Sequence, residues 1–356
     1  MGKLFHTSDK PILIAGPCSV ESREQISSVA SQLATYKQTT MIRCGVWKPR
    51  TRPGGFEGLG EQALKWIAGL KKEHPGWKFC CEVGNPHHVE LCEQYSIDAV
   101  WIGARTSVNP FLVNELAHAL SNSKMPTMVK NPITPDVDLW IGAIERLQEA
   151  GVDDIAAIHR GFTTSNNLGY RNNPLWELPI EFKRRMPSVP LLCDPSHIGG
   201  SRERVGTIAQ TALDLHFDGL MIECHDNPDK ALTDSQQQIT PQDLRSIMGS
   251  LRVPTHNTTN NKSISELRRQ IDIVDDEILE LLSRRMNIAR TIGIIKRENN
   301  MPLFQPDRWN EVLTHQIEQG KDRGLSEDFV KAIMEKIHSQ SIFEQRHDEA
   351  TAKPQE

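Results

Sequence analysis

Along the first 225 residues, short apolar runs alternate with longer helix-like stretches, and each run stops at a residue able to bind a metal, a carboxylate or a phosphate. Residues 12–15 precede Cys18, residues 41–42 precede Arg43 and Lys48, residues 79–81 precede Glu82, and residues 100–102 precede Arg105. Four more runs follow, with 128–129 before Lys130, 155–158 before Arg160, 191–192 before His197, and 220–222 before Glu223. Strand, reactive tip and helix, eight times over, predict an α/β chain folded as a (β/α)8 TIM barrel with its chemistry at the carboxyl ends of the strands.

The pattern changes near residue 253. Residues 253–262 are polar and without apolar periodicity, as a linker would be. Beyond them Ile264, Leu267, Ile271, Val274, Ile278, Leu281, Leu282, Ile288, Ile292 and Ile295 keep helical spacing, and Ser263 with Glu266 has the form of a capping box. The spacing predicts a helix to about Arg297, a break at Pro302, and two further helices over about 305–318 and 326–345. The expected domains are therefore a barrel over 1–253, a linker over 254–262, an all-α domain over 263–346 and a disordered polar tail over 347–356. A helix this long cannot bury its stripe alone, which predicts a homodimer or higher homo-oligomer.

Composition narrows the partners. Apolar residues make up 38% and charged residues 24% of the 356, which fits a globular protein, and no run approaches a membrane span. The polar residues 1–10 carry no signal-peptide pattern, and seven cysteines without framework spacing read as reduced thiols, so a cytoplasmic location is expected. A net charge of −5 argues against a nucleic acid partner.

Two groups of side chains carry candidate chemistry. Cys18, His197, Glu223 and Asp234 combine a thiolate, an imidazole and two carboxylates, a set that suits divalent Mn, Fe, Co or Zn better than Mg or Ca. Arg43, Lys48, Arg50, Arg105, Lys130 and Arg160 form a cationic group that predicts one or two small, highly anionic substrates. A metal beside such a group points to a phosphorylated carbonyl compound.

The segments Gly16-Pro17-Cys18-Ser19-Val20-Glu21, Lys48-Pro49-Arg50-Thr51, Gly103-Ala104-Arg105, Arg160-Gly161, Pro195-Ser196-His197 and Glu223-Cys224-His225 resemble, in order, the type I-beta 3-deoxy-D-arabino-heptulosonate 7-phosphate (DAHP) synthases. The octulosonate-forming relatives typically have Lys-Ala-Asn-Arg-Ser at the second segment. The resemblance implies condensation of phosphoenolpyruvate with erythrose 4-phosphate, with Cys18, His197, Glu223 and Asp234 holding the metal. It also implies that Arg105, Lys130 and Arg160 bind the phosphoenolpyruvate phosphate, Arg43 and Lys48 approach its carboxylate, and Arg50 and Thr51 receive erythrose 4-phosphate. Glu82 would act as an acid, a base or a holder of water. Arg43-Cys44-Gly45-Val46-Trp47 departs from the small-residue run usual before Lys-Pro-Arg-Thr.

Residues 264–345 resemble the AroQ class of chorismate mutase, with Leu267-Arg268, Ile271-Asp272, Arg284-Arg285, Ile292-Gly293, Lys296, Asp307-Arg308, Ser341 and Gln345 at matching intervals. The resemblance implies that Arg268 of a partner subunit and Arg285 take the carboxylates of chorismate. Lys296 and Gln345 would take the ether oxygen, and Arg308 and Ser341 would complete the pocket. Gln305 stands where an aspartate is common, and Trp309 where a glutamate often holds the substrate hydroxyl.

Three readings follow: a bifunctional synthase and mutase, a synthase with a catalytically weak sensor domain, and a barrel with a purely dimerising helical module. The first is favoured; Trp309 keeps the second open, and Arg268, Arg285 and Lys296, lying among apolar positions where an unmet charge is costly, argue against the third. Joining two steps of one route predicts feedback inhibition of the synthase by chorismate or prephenate bound in the helical domain.

Overall fold

The computed structural model describes residues 4–5, 11–49, 54–164, 169–254 and 262–346, with side chains in the last stretch from residue 265 onward. Arg50, Thr51, most of the expected linker, the side chain of Ser263 and the expected tail lie outside the described residues. The chain divides into two compact units, Met1–Thr255 and His256–Glu356. No helix among the described residues is long and apolar enough to cross a membrane.

In the first unit eight parallel strands close into a barrel in sequence order: β1 (Ile12–Gly16), β2 (Met41–Cys44), β3 (Phe79–Val83), β4 (Ala99–Ile102), β5 (Thr127–Lys130), β6 (Ile155–His159), β7 (Leu191–Cys193) and β8 (Gly219–Glu223). Pairing of Gly16 with Glu223 joins β1 to β8 and completes the circle. Each strand falls on one of the eight apolar runs. Because side chains alternate along a strand, one set faces the barrel axis and the other faces the helices. Ile12, Ile14, Met41, Cys80, Ala99, Trp101, Met128, Ala156, Ile158, Leu192 and Met221 pack together inside the barrel, with Phe5 beside them. A larger core that includes Leu13, Ile42, Cys81, Val100, Val129, Ala157 and Leu220 lies between strands and helices.

That alternation places the chemistry. Two residues beyond an interior apolar residue, Arg43 follows Met41, Glu82 follows Cys80, Lys130 follows Met128, Arg160 follows Ile158, Asp194 follows Leu192 and Glu223 follows Met221. Each is carried by parity to the carboxyl end of the barrel. Trp101 is followed at the same interval by Gly103, and a Cβ there would stand 2.2 Å from Glu82 Oε1. All seven cysteines are buried and free.

Among its described residues the second unit contains three helices, Lys262–Glu298, Pro306–Asp322 and Glu327–Arg346. The middle one runs four residues further than the periodicity suggests, to Asp322 rather than about 318, and Pro306 opens it at a position where a missing N–H costs nothing. The first helix begins at Lys262, so Ser263 lies within its first turn rather than before it. Gly293 lets the first and third helices approach closely, since a Cβ there would meet Gln345 Cα and its carbonyl oxygen at 2.7 Å. Leu267, Ile271, Val274, Ile278, Leu281, Ile288, Ile292 and Ile295 are all exposed in the single chain, between 42% and 64%.

Candidate active site

Cys18 lies two residues beyond β1, Glu223 at the end of β8, and Asp234 in the loop that follows β8. That loop is tied to the Cys18 segment. Ser19 Oγ and Thr233 Oγ1 are 2.8 Å apart, the Cys18 amide donates to Gln238 Oε1 at 2.9 Å, and Gln238 Nε2 donates to the Thr233 carbonyl at 2.8 Å. Glu21 accepts from the Leu232 amide. Asp234 itself sits at φ +48°, a left-handed conformation that aspartate tolerates better than most residues.

These ties bring ligand-capable atoms of Cys18, Glu223 and Asp234 within 4.8 Å of one another. The Cys18 thiol lies 3.2 Å from Asp234 Oδ2, and Lys48 Nζ donates to Cys18 Sγ at 3.0 Å. His197 joins through its Nε2, 3.7 Å from Glu223 Oε1. It stands on a short helix, Pro195–Gly199, capped by Asp194, whose Oδ1 accepts from the His197 amide at 3.1 Å. Asp194 Oδ2 lies 2.8 Å from His197 Nδ1 and accepts from Lys130 Nζ at 2.8 Å. Burial lowers the His197 pKa, which favours the neutral imidazole that a metal requires.

The donor set fits a divalent cation. Burial, with Glu223 and Asp234 adding to it, pushes the Cys18 thiol up to about 12, although Lys48 and Arg43 pull the other way. A dipositive charge among those groups would reverse that balance and favour thiolate. Glu223 Oε1 is buried and accepts no hydrogen bond from the described residues, although Arg43 Nη2 stands 3.0 Å away. Its other oxygen accepts from Gln237 Nε2 at 2.6 Å.

Above this cluster a cavity of about 530 Å³ opens, lined by Lys48, Glu82, Arg105, Lys130, Arg160, Arg171, His197 and Asp234 among others. Arg160 is brought down to about 10 by burial, with the Arg171 and Arg105 charges adding to it and Asp194 opposing. Like charges held this close create a strong local preference for an anion. Glu82 accepts from Trp101 Nε1 at 3.0 Å, which fixes its carboxylate at the wall. Arg43 is 1% exposed, stacked at 5.2 Å on Trp101 and paired with Glu223, so it lies beneath the cavity rather than in its lining.

Two groups join the site that the sequence alone does not single out. Asp194 has a signal, its parity after Leu192. Arg171, 3.0 Å from Asp234 Oδ1 through Nη1, stands in a loop without periodicity and has none.

In the helical unit Arg285 donates through Nη1 to Ser341 Oγ, and Lys296 Nζ donates to the Leu303 carbonyl at 2.7 Å. Gln345 is buried and its Oε1 has no hydrogen-bond partner among the described residues. Arg308 is exposed and bonded to Glu311 at 3.0 Å, and Arg268 is exposed on the first helix. Trp309 stacks on His338 with ring centroids 4.0 Å apart.

Residues 267–346 match the chorismate mutase type II family. Over 227 residues the chain is 31% identical to a phospho-2-dehydro-3-deoxyheptonate aldolase of Thermotoga maritima, spanning 64% of either chain. It is 27% identical to a 2-dehydro-3-deoxyphosphooctonate aldolase of Agrobacterium fabrum, covering 69% of this chain and 90% of that one. The solved structure of DAHP synthase from Thermotoga maritima superposes with a TM-score of 0.59 at 27% identity, over 67% of each chain. With its barrel matched from residue 3 to residue 256, the chain belongs to the DAHP synthetase I family.

Proposed function

We propose that the chain is bifunctional: its barrel condenses phosphoenolpyruvate with erythrose 4-phosphate to DAHP and phosphate, and its helical unit rearranges chorismate to prephenate. The observation that carries the first half is the convergence of Cys18, Glu223 and Asp234 within 4.8 Å, under a cavity lined by Lys48, Arg105, Lys130, Arg160 and Arg171. The heptulosonate product is favoured over the octulosonate by Lys48-Pro49-Arg50-Thr51.

Cys18, His197, Glu223 and Asp234 would hold the divalent ion, and the thiol favours Mn, Fe, Co or Zn. Such an ion would supply Lewis acidity toward the aldehyde. Arg105, Lys130, Arg160 and Arg171 would grip the phosphoenolpyruvate phosphate and hold its C3 toward the aldehyde carbon. Lys48 and Arg43 bear on its carboxylate, Lys48 from the cavity wall and Arg43 from beneath. Arg50 and Thr51 would receive erythrose 4-phosphate. A C–C bond forms from C3, water adds at C2, and phosphate leaves with C–O cleavage. Glu82, anchored by Trp101, would hold that water or move its proton. Neutralising two polyanions and fixing them in register removes repulsion and entropy from the barrier.

In the helical unit Arg285 and a partner's Arg268 would take the carboxylates of chorismate, with Lys296 and Gln345 at the ether oxygen and Ser341 and Arg308 completing the pocket. The exposed apolar stripe on Lys262–Glu298 supports pairing of two copies, since a solvated stripe of that length is unfavourable. Trp309, which cannot accept a hydrogen bond, favours the second reading, a sensor with weak turnover. In either case chorismate or prephenate bound there would feed back on the synthase through differential affinity for two states.

One preparation tests these statements together. Phosphoenolpyruvate consumption should require erythrose 4-phosphate and stop with a chelator, while chorismate loss continues. Cys18→Ala should abolish the first activity and spare the second. Chelator-resistant condensation would sink the metal assignment, prephenate without effect on the synthase would sink the feedback, and prephenate binding without chorismate loss would select the sensor.

A further inference from the structure

His338 stands on Glu327–Arg346 one turn before Ser341, so both share a helix face. Ser341 Oγ receives Arg285, which places His338 beside the cations of the helical unit. Its ring is stacked on Trp309, at 4.0 Å between centroids and 20° between planes, and Phe304 packs edge-on at 5.8 Å. Two aromatic neighbours thus fix its orientation. Yet Nε2 is buried and has no hydrogen-bond partner among the described residues. A buried, orphaned polar atom costs free energy unless something meets it. Burial and the nearby Arg285 and Lys296 charges lower the His338 pKa, so the ring stays neutral at physiological pH.

From this we infer that His338, held by Trp309, is the hydrogen-bond partner of the ring hydroxyl of the substrate in the mutase pocket. The inference rests on the chorismate reading above and deepens it. Chorismate presents two carboxylates, an ether oxygen and one hydroxyl. Arg285 and Lys296 are cations suited to the first three, and neither discriminates a neutral hydroxyl from hydrogen. A neutral imidazole does, because Nε2 donates in one tautomer and accepts in the other. Specificity for a hydroxyl follows when its absence leaves a buried polar group unpaired.

The test uses the full chain and follows calorimetric binding of prephenate, which keeps the two carboxylates and the hydroxyl, and of an analogue with hydrogen in place of that hydroxyl. His338→Phe keeps an aromatic face against Trp309 and removes both nitrogens. It should weaken prephenate roughly tenfold and leave the analogue unchanged, collapsing the discrimination between them. His338→Gln, whose amide nitrogen reaches about where Nε2 stood, should restore part of it. Equal losses for both ligands, or none for either, would overturn the role of His338 while leaving the mutase reading intact. A wild-type chain that binds neither ligand and leaves chorismate unconverted would remove the reading itself, and this inference with it.

Discussion

Asp194 Oδ2 lies 2.8 Å from Nδ1 of His197, and the same oxygen accepts from Lys130 Nζ at 2.8 Å. One buried carboxylate thus stands against the ring nitrogen opposite the one that faces Glu223, and holds a lysine of the anion cavity. Second partners of this kind typically contribute a factor of about 10–100 to metal affinity. Asp194→Asn should therefore weaken metal binding by about that factor, read by competition with a chromophoric chelator. It should also raise the KM for phosphoenolpyruvate, because Lys130 loses the carboxylate that holds its ammonium in register, which outweighs the gain in net positive charge. Metal affinity unchanged in this variant would separate His197 from the centre.

His159, the last residue of β6, is fully buried beside Trp140, Phe162, Trp176 and Phe217. Burial, with the Arg160 charge adding to it, holds its pKa down to about 3. An unfolded histidine titrates near 6.5, so the unfolded chain binds the extra proton first as pH falls. The stability from keeping this ring neutral is fully present above about 6.5 and is lost progressively between there and about 3, at up to about 1.4 kcal/mol per pH unit. Denaturant melts of the wild type should show this slope on the acid side, and His159→Phe should flatten it. An unchanged slope in the variant would assign the acid loss to other groups.

Much of the site is legible because the strand period is two. Arg43, Glu82, Lys130, Arg160 and Glu223 each follow an interior apolar residue by two, so the pattern that predicts the barrel also aims them. Asp194 obeys the same rule, but the adjacent Pro195-Ser196-His197 masks it. Arg171 and Asp234 depend on loop geometry. Asp234 reaches Cys18 only because Thr233 and Gln238 bond to Ser19 and Cys18 across more than 200 residues, and no local pattern records such pairs. The helical unit fares similarly: periodicity finds its three helices, while the stack of Trp309 on His338 joins two of them without any shared spacing.

Trp47 and His88 stack with centroids 3.8 Å apart and planes 4° from parallel, and His88 Nδ1 accepts from the Gly84 amide at 3.1 Å. The stack clamps the segment after β2 to the helix Pro86–Gln94, one residue before Lys48 reaches Cys18. An aromatic pair contributes about 0.5–1.5 kcal/mol beyond burial, which corresponds to roughly a 2–12-fold effect. Trp47→Ala should raise the synthase KM for phosphoenolpyruvate at least that much, since lost burial adds to it, and leave chorismate loss untouched as the internal control. His88→Phe, which preserves a flat partner, should cost less. Equal KM values in wild type and Trp47→Ala would show that Lys48 needs no such clamp.

Gly293→Ala sets two known effects against each other in the helical unit. Alanine is a better helix former than glycine by about 1 kcal/mol, which favours the variant. Its Cβ, however, would stand 2.7 Å from the Cα and carbonyl oxygen of Gln345, and backbone cannot swing aside as a side chain would. Forcing the helices apart costs about 1–3 kcal/mol and strains the bond from Arg297 Nη1 to the Gln345 carbonyl. Steric cost should win, lowering the melting temperature of the helical unit. Because Gln345 carries a proposed contact to the ether oxygen, chorismate turnover should fall further than stability alone explains at temperatures where the unit stays folded. The synthase, built on the other unit, should keep its rate. A variant that melts higher and rearranges chorismate normally would mean the two helices have slack at this crossing.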